Sequence, residues 1–291
     1  MKPASFEYVR PATLADALDA LHRRGDDAKV LAGGQSLVPM MNFRLARPAV
    51  IVDLNGLLDL AFIRPENGGL ALGAMTRQRT IEKSALVREC TPLLAEATPW
   101  IGHLPIRTRG TIGGSLVHAD PAAEYPVVMV ALDAEFTLAR KGGTRRVAAA
   151  EFFDTYLSTT IAPDEILTEV RVPGLPPRAA VAFLEIARRH GDFAIVAAAA
   201  AVDLDAGGRV AETRLALGGV GGKPVRARAA ERMLAGQRPT AALIAEAAAS
   251  VMPETDPPED IHASAEYRRE MSAVFTRRAL TAALNKLGVQ L

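Results

Sequence analysis

Cysteine is nearly absent from this sequence, because Cys90 is the only one among 291 residues. A single thiol excludes an intrachain disulfide, and it excludes an iron–sulfur cluster held by four cysteines of this chain alone. If electrons reach iron–sulfur centres, another chain must carry those centres. The neighbours of Cys90 supply no base that would activate its thiol, so we assign it no chemical role.

The sequence also lacks a charge imbalance and a long apolar run. Its 34 basic and 33 acidic residues leave a net charge of +1, which gives no reason to expect nucleic acid or an acidic surface as a partner. No apolar run reaches the roughly twenty residues that span a bilayer, and the N-terminus does not resemble a signal peptide. We therefore expect a folded cytoplasmic protein without a transmembrane segment, and its length is sufficient for two domains.

Several familiar signatures are missing. The five histidines are scattered without metal-ligand spacing, so we expect no metal site. The glycines near position 33 do not form G-x-G-x-x-G, which leaves a dinucleotide-binding βαβ unit without support. Residues 218–223 resemble a P-loop, but Leu217 replaces its first glycine and Pro224 replaces the Ser or Thr that would bind magnesium. ATP hydrolysis is therefore not expected.

The sequence does contain two glycine pairs, each flanked by a small or apolar residue and by a hydroxyl or amide. They form two segments, the first being Ala32, Gly33, Gly34, Gln35 and Ser36, and the second being Thr111, Ile112, Gly113, Gly114 and Ser115. Glycine lacks a Cβ and accepts positive φ, so such segments let several backbone N–H groups converge on an anion such as a pyrophosphate. The alternative, which the residues leave open, is two tight turns packed against other backbone.

Periodicity predicts alternating helices and strands in the first half of the chain. A capped helix begins after Thr13 and stops at Gly25, and a short strand at 28–31 precedes the first glycine segment. The further expected elements are a helix at 37–45, a strand at 49–54, a hairpin at 60–75, helical periodicity at 77–97, an irregular segment at 102–110, a helix at 121–132, a hairpin at 136–147 and a strand at 166–172.

Residues 172–178 contain three prolines and a glycine, which interrupt helix and ladder hydrogen bonds, so we place a domain boundary there. Beyond it we expect three antiparallel strands at 181–187, 195–204 and 210–217, followed by helices at 227–235, 240–251 and 263–287. The alanines at 197–201 favour helix intrinsically, but Val196, Val202 and the turn that follows favour a strand.

Six segments together carry a resemblance to a known family. In chain order they are AGGQSLVPMMNFRLARP, VDLN, IRTRGTIGGSLVHADPAAEYP, ARRHGDFA, LGGVGGKPVRAR and DIHASAEYRR. The sequence resembles the FAD-binding medium subunit of the molybdenum hydroxylases, the group that includes aerobic carbon monoxide dehydrogenase and xanthine dehydrogenase. The resemblance extends from about residue 6 to about residue 280, and it is specific because the segments recur in the family's order.

The resemblance implies an α+β fold with two domains. Residues 1–175 would form a two-lobed FAD-binding domain of the vanillyl-alcohol-oxidase (PCMH) type, with lobes at about 1–56 and 57–175. Residues 176–291 would form a smaller α+β domain with a three-stranded antiparallel sheet and helices. FAD would extend through the cleft between the lobes, with its pyrophosphate at the two glycine segments.

The resemblance also implies further cofactor contacts. An acidic residue after the second glycine segment contacts ribose or polyol hydroxyls in the family, and Glu124 matches it by register, with Asp120 as a competitor. The alternative is that Glu124 only begins a helix. Ile101 matches an apolar or aromatic contact to the cofactor, and its alternative is an ordinary core position.

Residues 188–193 resemble the family's R-R-x-G-D-aromatic turn, which brings the second domain over the flavin. Phe193 would cover a ring face there. Family members often carry a basic residue shortly before this turn, whereas this chain has Leu184 and Glu185. That difference leaves the cationic contact open, with Arg188 as a substitute.

The implied function is electron transfer. In the family a large subunit with a molybdenum cofactor and a small subunit with two [2Fe-2S] clusters deliver electrons through FAD of the medium subunit to an external acceptor, in a dimer of heterotrimers. This chain itself shows no catalytic residue, and its sequence decides neither substrate nor acceptor. Two alternatives stay open, a free-standing flavoenzyme on the same scaffold and a non-catalytic assembly protein.

Overall fold

The computed structural model describes all 291 residues. Residues 7–53 fold around a three-stranded parallel sheet, with the elements β1 (Glu7–Val9), α1 (Leu14–Arg24), β2 (Ala28–Leu31), α2 (Leu37–Asn42) and β3 (Val50–Asp53). β3 lies between β1 and β2 and is buried along its whole length. The predicted limits of α1 are confirmed, since Thr13 caps its first turn and Gly25 follows its last turn with a φ of 52°.

Residues 63–172 contain a second, larger sheet. The strands are β4 (Ile63–Glu66), β5 (Gly69–Gly73), β6 (Glu135–Arg140), β7 (Gly143–Ala148), β8 (Phe153–Thr155), β9 (Ser158–Thr159) and β10 (Ile166–Val172). Five of them form an antiparallel sheet in the order β4-β5-β10-β6-β7, while β8 and β9 form a separate pair. Both predicted hairpins are confirmed, and the central strand β10 joins them into one sheet.

Seven helices belong to the same region. They are α3 (Gln78–Lys83), α4 (Ala85–Cys90), α5 (Pro92–Ala97), α6 (Leu104–Arg109), α7 (Ile112–His118), α8 (Glu124–Ala131) and α9 (Ala149–Phe152). The periodicity at 77–97 is thus divided into three short helices, because Ser84 caps α4 and Pro92 takes the first position of α5.

Two other predictions for this region are wrong. The segment at 102–110, expected to be irregular, contains α6, whose first turn accommodates Pro105 because a proline there costs no internal hydrogen bond. The helix expected from Pro121 begins at Glu124 instead. The carboxylate of Asp120 accepts the N–H of Ala122 at 2.9 Å, a local turn that delays the start of the helix.

Residues 180–286 fold around a four-stranded antiparallel sheet. Its elements are β11 (Ala180–Ala187), β12 (Ala194–Leu204), β13 (Val210–Gly218), β14 (Val225–Arg226), α10 (Arg228–Leu234), α11 (Ala241–Ala249) and α12 (Ala265–Lys286). The three predicted strands are confirmed, but the fourth, β14, was missed because two residues carry no detectable periodicity. Residues 173–179 contain neither helix nor strand.

The alanine run in β12 explains how this sheet packs on both faces. Ala197, Ala199 and Ala201 join the core shared with α8, whereas Ala198 and Ala200 join the core under α10, α11 and α12. Small side chains on a strand let helices approach closely on either side, so burial on two faces overrides the helical preference of alanine.

Arg226 fastens the C-terminal sheet to the end of α8. Its guanidinium donates to the carbonyl oxygens of Val130 at 2.6 Å and Ala131 at 2.9 Å, and it pairs with Asp133 and Glu231. A cation at the C-terminal end of a helix is favourable because the last carbonyls lack partners within the helix. This one side chain therefore satisfies groups from both parts of the chain.

We expect Arg226→Met to lower the free energy of unfolding by about 2–4 kcal/mol, because the buried carbonyls of Val130 and Ala131 lose their donor and Glu231 loses one of its two cations. Arg228→Met is the matched control, since Arg228 also pairs with Glu231 but its side chain is 54% exposed; it should cost less than about 1 kcal/mol. Urea unfolding of both variants measures the difference, and equal losses would contradict the role of Arg226.

Candidate functional site

A cavity of about 930 Å³ lies where the two glycine segments meet the C-terminal sheet. Its walls come from both segments, the start of α8, β9 with the residues after it, and the turn between β11 and β12. The volume is near the upper end of the range for small-molecule and cofactor sites, about 300–1,000 Å³. About half of the lining is hydrophobic, which suits a ligand with both apolar and polar parts.

The cavity collects nearly all of the residues predicted from the sequence. Its lining includes Ala32, Gly33, Gly34, Gln35, Ser36, Ile101, Thr111, Gly113, Gly114, Ser115, Asp120, Glu124, Arg188 and Phe193. Ile112 is the exception, because its side chain is fully buried in the core. Their contact with FAD stays a prediction.

The first glycine segment presents unpaired donors to the cavity. The backbone N–H groups of Gly33, Gly34, Gln35 and Ser36 donate no hydrogen bond within the chain. Gly34 has a φ of 72°, a conformation that glycine adopts without strain, and the side-chain amide of Gln35 donates to the carbonyl of Gly33 at 2.9 Å. Four successive free N–H groups beside a cavity are the arrangement that an anion requires.

The second glycine segment does not present a row of free donors, because it is the first turn of α7 rather than an open turn. The N–H groups of Ile112 and Gly113 donate to the carbonyls of Thr76 at 3.0 Å and Ala74 at 2.8 Å, and Thr111 caps the N–H of Gly114 at 3.0 Å. The N–H groups of residues 112–115 are therefore already used. What it offers the cavity is a small surface and the hydroxyl of Ser115, which has no partner in the chain.

Both glycine pairs also have a packing role. A Cβ on Gly33 would lie 2.6 Å from the carbonyl oxygen of Arg109, and a Cβ on Gly113 would lie 2.6 Å from the side chain of Ala74. Substitution at either position would displace backbone or a buried neighbour. The alternative of tight packing is thus correct for these two residues. A valine at either position would disturb the packing of the fold as well as any ligand site.

A polar network behind the first segment was missed by the sequence analysis. Asn55 donates to the carbonyl of Ala32 at 2.9 Å and accepts from the guanidinium of Arg77 at 2.6 Å. The same guanidinium donates to the carbonyl of Arg109, just before the second segment. Arg77 therefore ties the two glycine segments together. The VDLN motif, in which Asn55 is the last residue, was the only signal, and it indicated no role.

Two carboxyl groups stand at the start of α8. Asp120 already accepts the N–H of Ala122, whereas the side chain of Glu124 accepts no hydrogen bond from another residue. Glu124 is 7% exposed and is the first residue of α8, so it both begins the helix and lines the cavity. Burial raises the pKa of Glu124 to about 7, with the charge of Asp120 adding to the rise and that of Arg107 opposing it.

The turn between β11 and β12 forms the mouth of the cavity. Phe193 is 67% exposed there, and the ring of His190 stacks on Trp100 with centroids 5.7 Å apart. Gly191 has a φ of 88° and packs directly against the ring of His103. These contacts hold the turn against Trp100 and His103 and leave the ring of Phe193 free to cover a ligand.

His262 lines the same cavity and was also missed, although the sequence analysis had noted the DIHASAEYRR segment. The buried guanidinium of Arg268 fixes the loop that carries His262, because it pairs with Asp260 at 2.8 Å and donates to the carbonyl of Ile195 at 2.6 Å.

No three side chains of the His, Cys, Asp or Glu type come together as metal ligands. No helix has the length and apolar character that a membrane crossing requires.

Residues 4–175 match the family described as FAD binding domain in molybdopterin dehydrogenase, and residues 181–283 match the CO dehydrogenase flavoprotein C-terminal domain. The chain belongs to the FAD-binding medium subunits of the molybdenum hydroxylase family. The resemblance found in the sequence is thereby confirmed, as are the α+β class and the assignment to oxidoreductases.

Known proteins are similar to this chain over almost its whole length. The 6-hydroxypseudooxynicotine dehydrogenase complex subunit alpha of Paenarthrobacter nicotinovorans is 43% identical over 98% of this chain and 97% of its own length. The caffeine dehydrogenase subunit beta of Pseudomonas sp. (strain CBB1) is 38% identical over 99% and 97%. A solved carbon monoxide dehydrogenase from Hydrogenophaga pseudoflava superimposes with a TM-score of 0.96 at 36% identity, covering 98% of this chain and 99% of that one.

We expect Arg77→Met to weaken FAD binding at least tenfold, equal to about 1.4 kcal/mol, because the two glycine segments lose their common tie. The matched control is Arg79→Met, whose guanidinium pairs only with Glu82 on the same helix. Titration of the flavin-free chain with FAD, followed by flavin fluorescence, gives both affinities. Equal affinities for the two variants would show that the contacts of Arg77 with Asn55 and Arg109 do not affect FAD binding.

Proposed function

We propose that this chain is the FAD-carrying electron-transfer subunit of a molybdenum-containing hydroxylase or dehydrogenase. The observation that carries the proposal is the row of four free N–H groups at residues 33–36, which line a cavity of about 930 Å³ in a chain that matches the family at residues 4–175 and 181–283. Bound FAD supplies one- and two-electron redox chemistry, and the protein supplies binding and orientation.

The residues of the cavity fit such a cofactor. The N–H groups of the first segment, with the hydroxyls of Ser36 and Ser115, would hold the pyrophosphate, and Glu124 would accept hydrogen bonds from ribose or polyol hydroxyls. Ile101 and Phe193 supply apolar surface for ring systems. We further propose residues 1–175, with lobes at about 1–56 and 57–175, as the FAD-binding domain and residues 176–291 as the second domain.

The metal centres belong, in this proposal, to partner subunits. A cluster bound by four cysteines cannot form on a chain whose only cysteine is Cys90. Several relatives are named as subunits or medium chains, which supports a large subunit with the molybdenum cofactor and a small subunit with two [2Fe-2S] clusters. A dimer of such heterotrimers is the proposed assembly.

The substrate is selected outside this chain. The names of its relatives cover 6-hydroxypseudooxynicotine, caffeine and carbon monoxide, although their medium chains share the same extent and 35–43% identity with this one. Because relatives named after such different compounds share one type of subunit, we infer that the subunit transfers electrons and does not recognise the substrate.

The hydroxyl donors test the location of the pyrophosphate. Ser36→Ala and Ser115→Ala should each weaken FAD binding about tenfold or more, because a hydrogen bond to a charged group is worth about 1.5–3 kcal/mol. Neither hydroxyl has a partner in the chain, so thermal stability without FAD should stay unchanged. Ser5→Ala, at an exposed position outside the cavity, is the control. Affinities equal to that of Ser5→Ala would place the pyrophosphate elsewhere.

Turnover tests the subunit role. The FAD-loaded chain alone should not oxidise a nicotine derivative, caffeine or carbon monoxide with an artificial electron acceptor, because it lacks metal centres and an evident acid–base set. Mixing it with its large and small partner subunits should produce turnover with one of these substrates. Efficient turnover by the lone chain would instead favour a free-standing flavoenzyme, and a purified chain that never binds flavin would favour an assembly protein.

A further inference from the structure

The side chain of Gln78 on α3 is a buried polar group that the chain leaves unpaired. The residue is 4% exposed, and its amide oxygen is buried without a hydrogen-bond partner. Taking an amide out of water without giving it partners is unfavourable, so most buried amides in folded proteins are hydrogen-bonded. An apolar side chain of similar length would fill this space more favourably, and packing alone therefore does not explain a glutamine here.

Gln78 lies where the two glycine segments meet. Its backbone N–H donates to the carbonyl of Gly110 at 2.9 Å, and a Cβ on Gly110 would lie 2.8 Å from the Cδ of Gln78. Gly110 also faces the first segment, because a Cβ on Gly33 would lie 2.7 Å from the Cα of Gly110. The backbone of one residue, Gly110, therefore lies between the amide of Gln78 and the backbone of Gly33.

Gln78 is also one of the residues that line the cavity. Its amide oxygen packs beside Gly110, which leaves the amide nitrogen as the end that can donate to a ligand. The guanidinium groups of the flanking Arg77 and Arg79 contact other residues, so neither of them occupies the amide. A polar side chain that is almost completely buried, unpaired and part of a cavity wall is available to a ligand.

This side of the cavity has few other donors. The N–H groups of residues 112–115 are used within the chain, and Lys29 and Arg188 are the only lysine or arginine residues in the lining. An anion held by the free N–H groups of residues 33–36 would therefore find few partners beside the second segment. The amide nitrogen of Gln78 carries two N–H donors and can supply one there.

We propose that Gln78 binds the pyrophosphate of the cofactor, its amide nitrogen donating to the anion that the free N–H groups of residues 33–36 also hold. This inference rests on the proposed function, because FAD supplies the pyrophosphate. Without the ligand the amide stays buried and unpaired, so the chain is no more stable than it would be with an apolar side chain at this position. Removal of the amide should therefore lower ligand affinity without lowering stability.

Gln78→Met in the full-length chain tests this combination. Methionine has a similar length and a similar helix propensity but no amide. The thermal unfolding midpoint of the flavin-free variant should equal or exceed that of wild type. Its affinity for FAD, measured by flavin fluorescence, should fall about tenfold or more, because a hydrogen bond to a charged group is lost.

Thr213→Val is the matched control. Thr213 on β13 is 7% exposed and its hydroxyl has no hydrogen-bond partner, but it does not line the cavity. Because valine is equally suited to a strand and leaves no polar group unpaired, this variant should also keep the unfolding midpoint of wild type or raise it. Unlike Gln78→Met, it should leave the affinity for FAD unchanged.

Competition with ADP locates the contact within the cofactor, because ADP carries a pyrophosphate without a flavin. ADP should displace FAD from the wild-type chain, and Gln78→Met should weaken ADP binding by a factor similar to that for FAD. An ADP affinity that Gln78→Met leaves unchanged would overturn the contact with the phosphates, and so would ADP that does not compete with FAD on the wild-type chain.

The remaining outcomes separate this inference from the proposed function. A lower unfolding midpoint for Gln78→Met, or failure of that variant to fold, would overturn the inference, because the amide would then stabilise the fold itself. Equal FAD affinities for wild type and Gln78→Met would also overturn it and would leave the proposed function intact. A wild-type chain that does not bind FAD would refute the proposed function and the inference together.

Discussion

The guanidinium of Arg77 is the contact on which the geometry of the cavity depends. It reaches Asn55, which holds the carbonyl of Ala32, and it also reaches the carbonyl of Arg109. The first glycine segment follows β2 and the second begins α7, so nothing in their local sequence fixes the distance between them. A planar group with several donors in a rigid fork can donate to the Asn55 side chain and to the Arg109 carbonyl at once, and lysine would supply only a single flexible point.

Close approach of the two segments then requires that nothing project between them. Gly33 faces the backbone of Arg109, where an added Cβ would lie 2.6 Å from the carbonyl oxygen. The alanines of β12 have the same effect deeper in the molecule, where they let α8 and α12 pack on opposite faces of one strand. The cavity is therefore bounded by small residues, and its donors are backbone groups that a substitution cannot easily replace.

The sequence predicted the elements that carry a strong period or a capping signal, such as α1, the two hairpins and the three long C-terminal strands. It did not predict α6 or β14, because a six-residue helix and a two-residue strand show too few repeats. For the site, motif residues were found and their partners were not. Arg77 and His262 reach their places through tertiary contacts, which a linear pattern does not encode. Ile112 was predicted to contact the cofactor because it lies in a motif, but its side chain is buried in the core.

The lining of the cavity carries more carboxyl groups than lysine or arginine side chains. Lys29 and Arg188 are the only lysine or arginine residues in the lining, whereas Asp120, Glu124, Glu165 and Asp192 contribute carboxyl groups. In the proposed site, an anionic pyrophosphate would then be held by N–H dipoles of fixed strength rather than by mobile cations. Any additional negative charge nearby lacks a counterion and acts on the ligand at low dielectric, where its effect is largest.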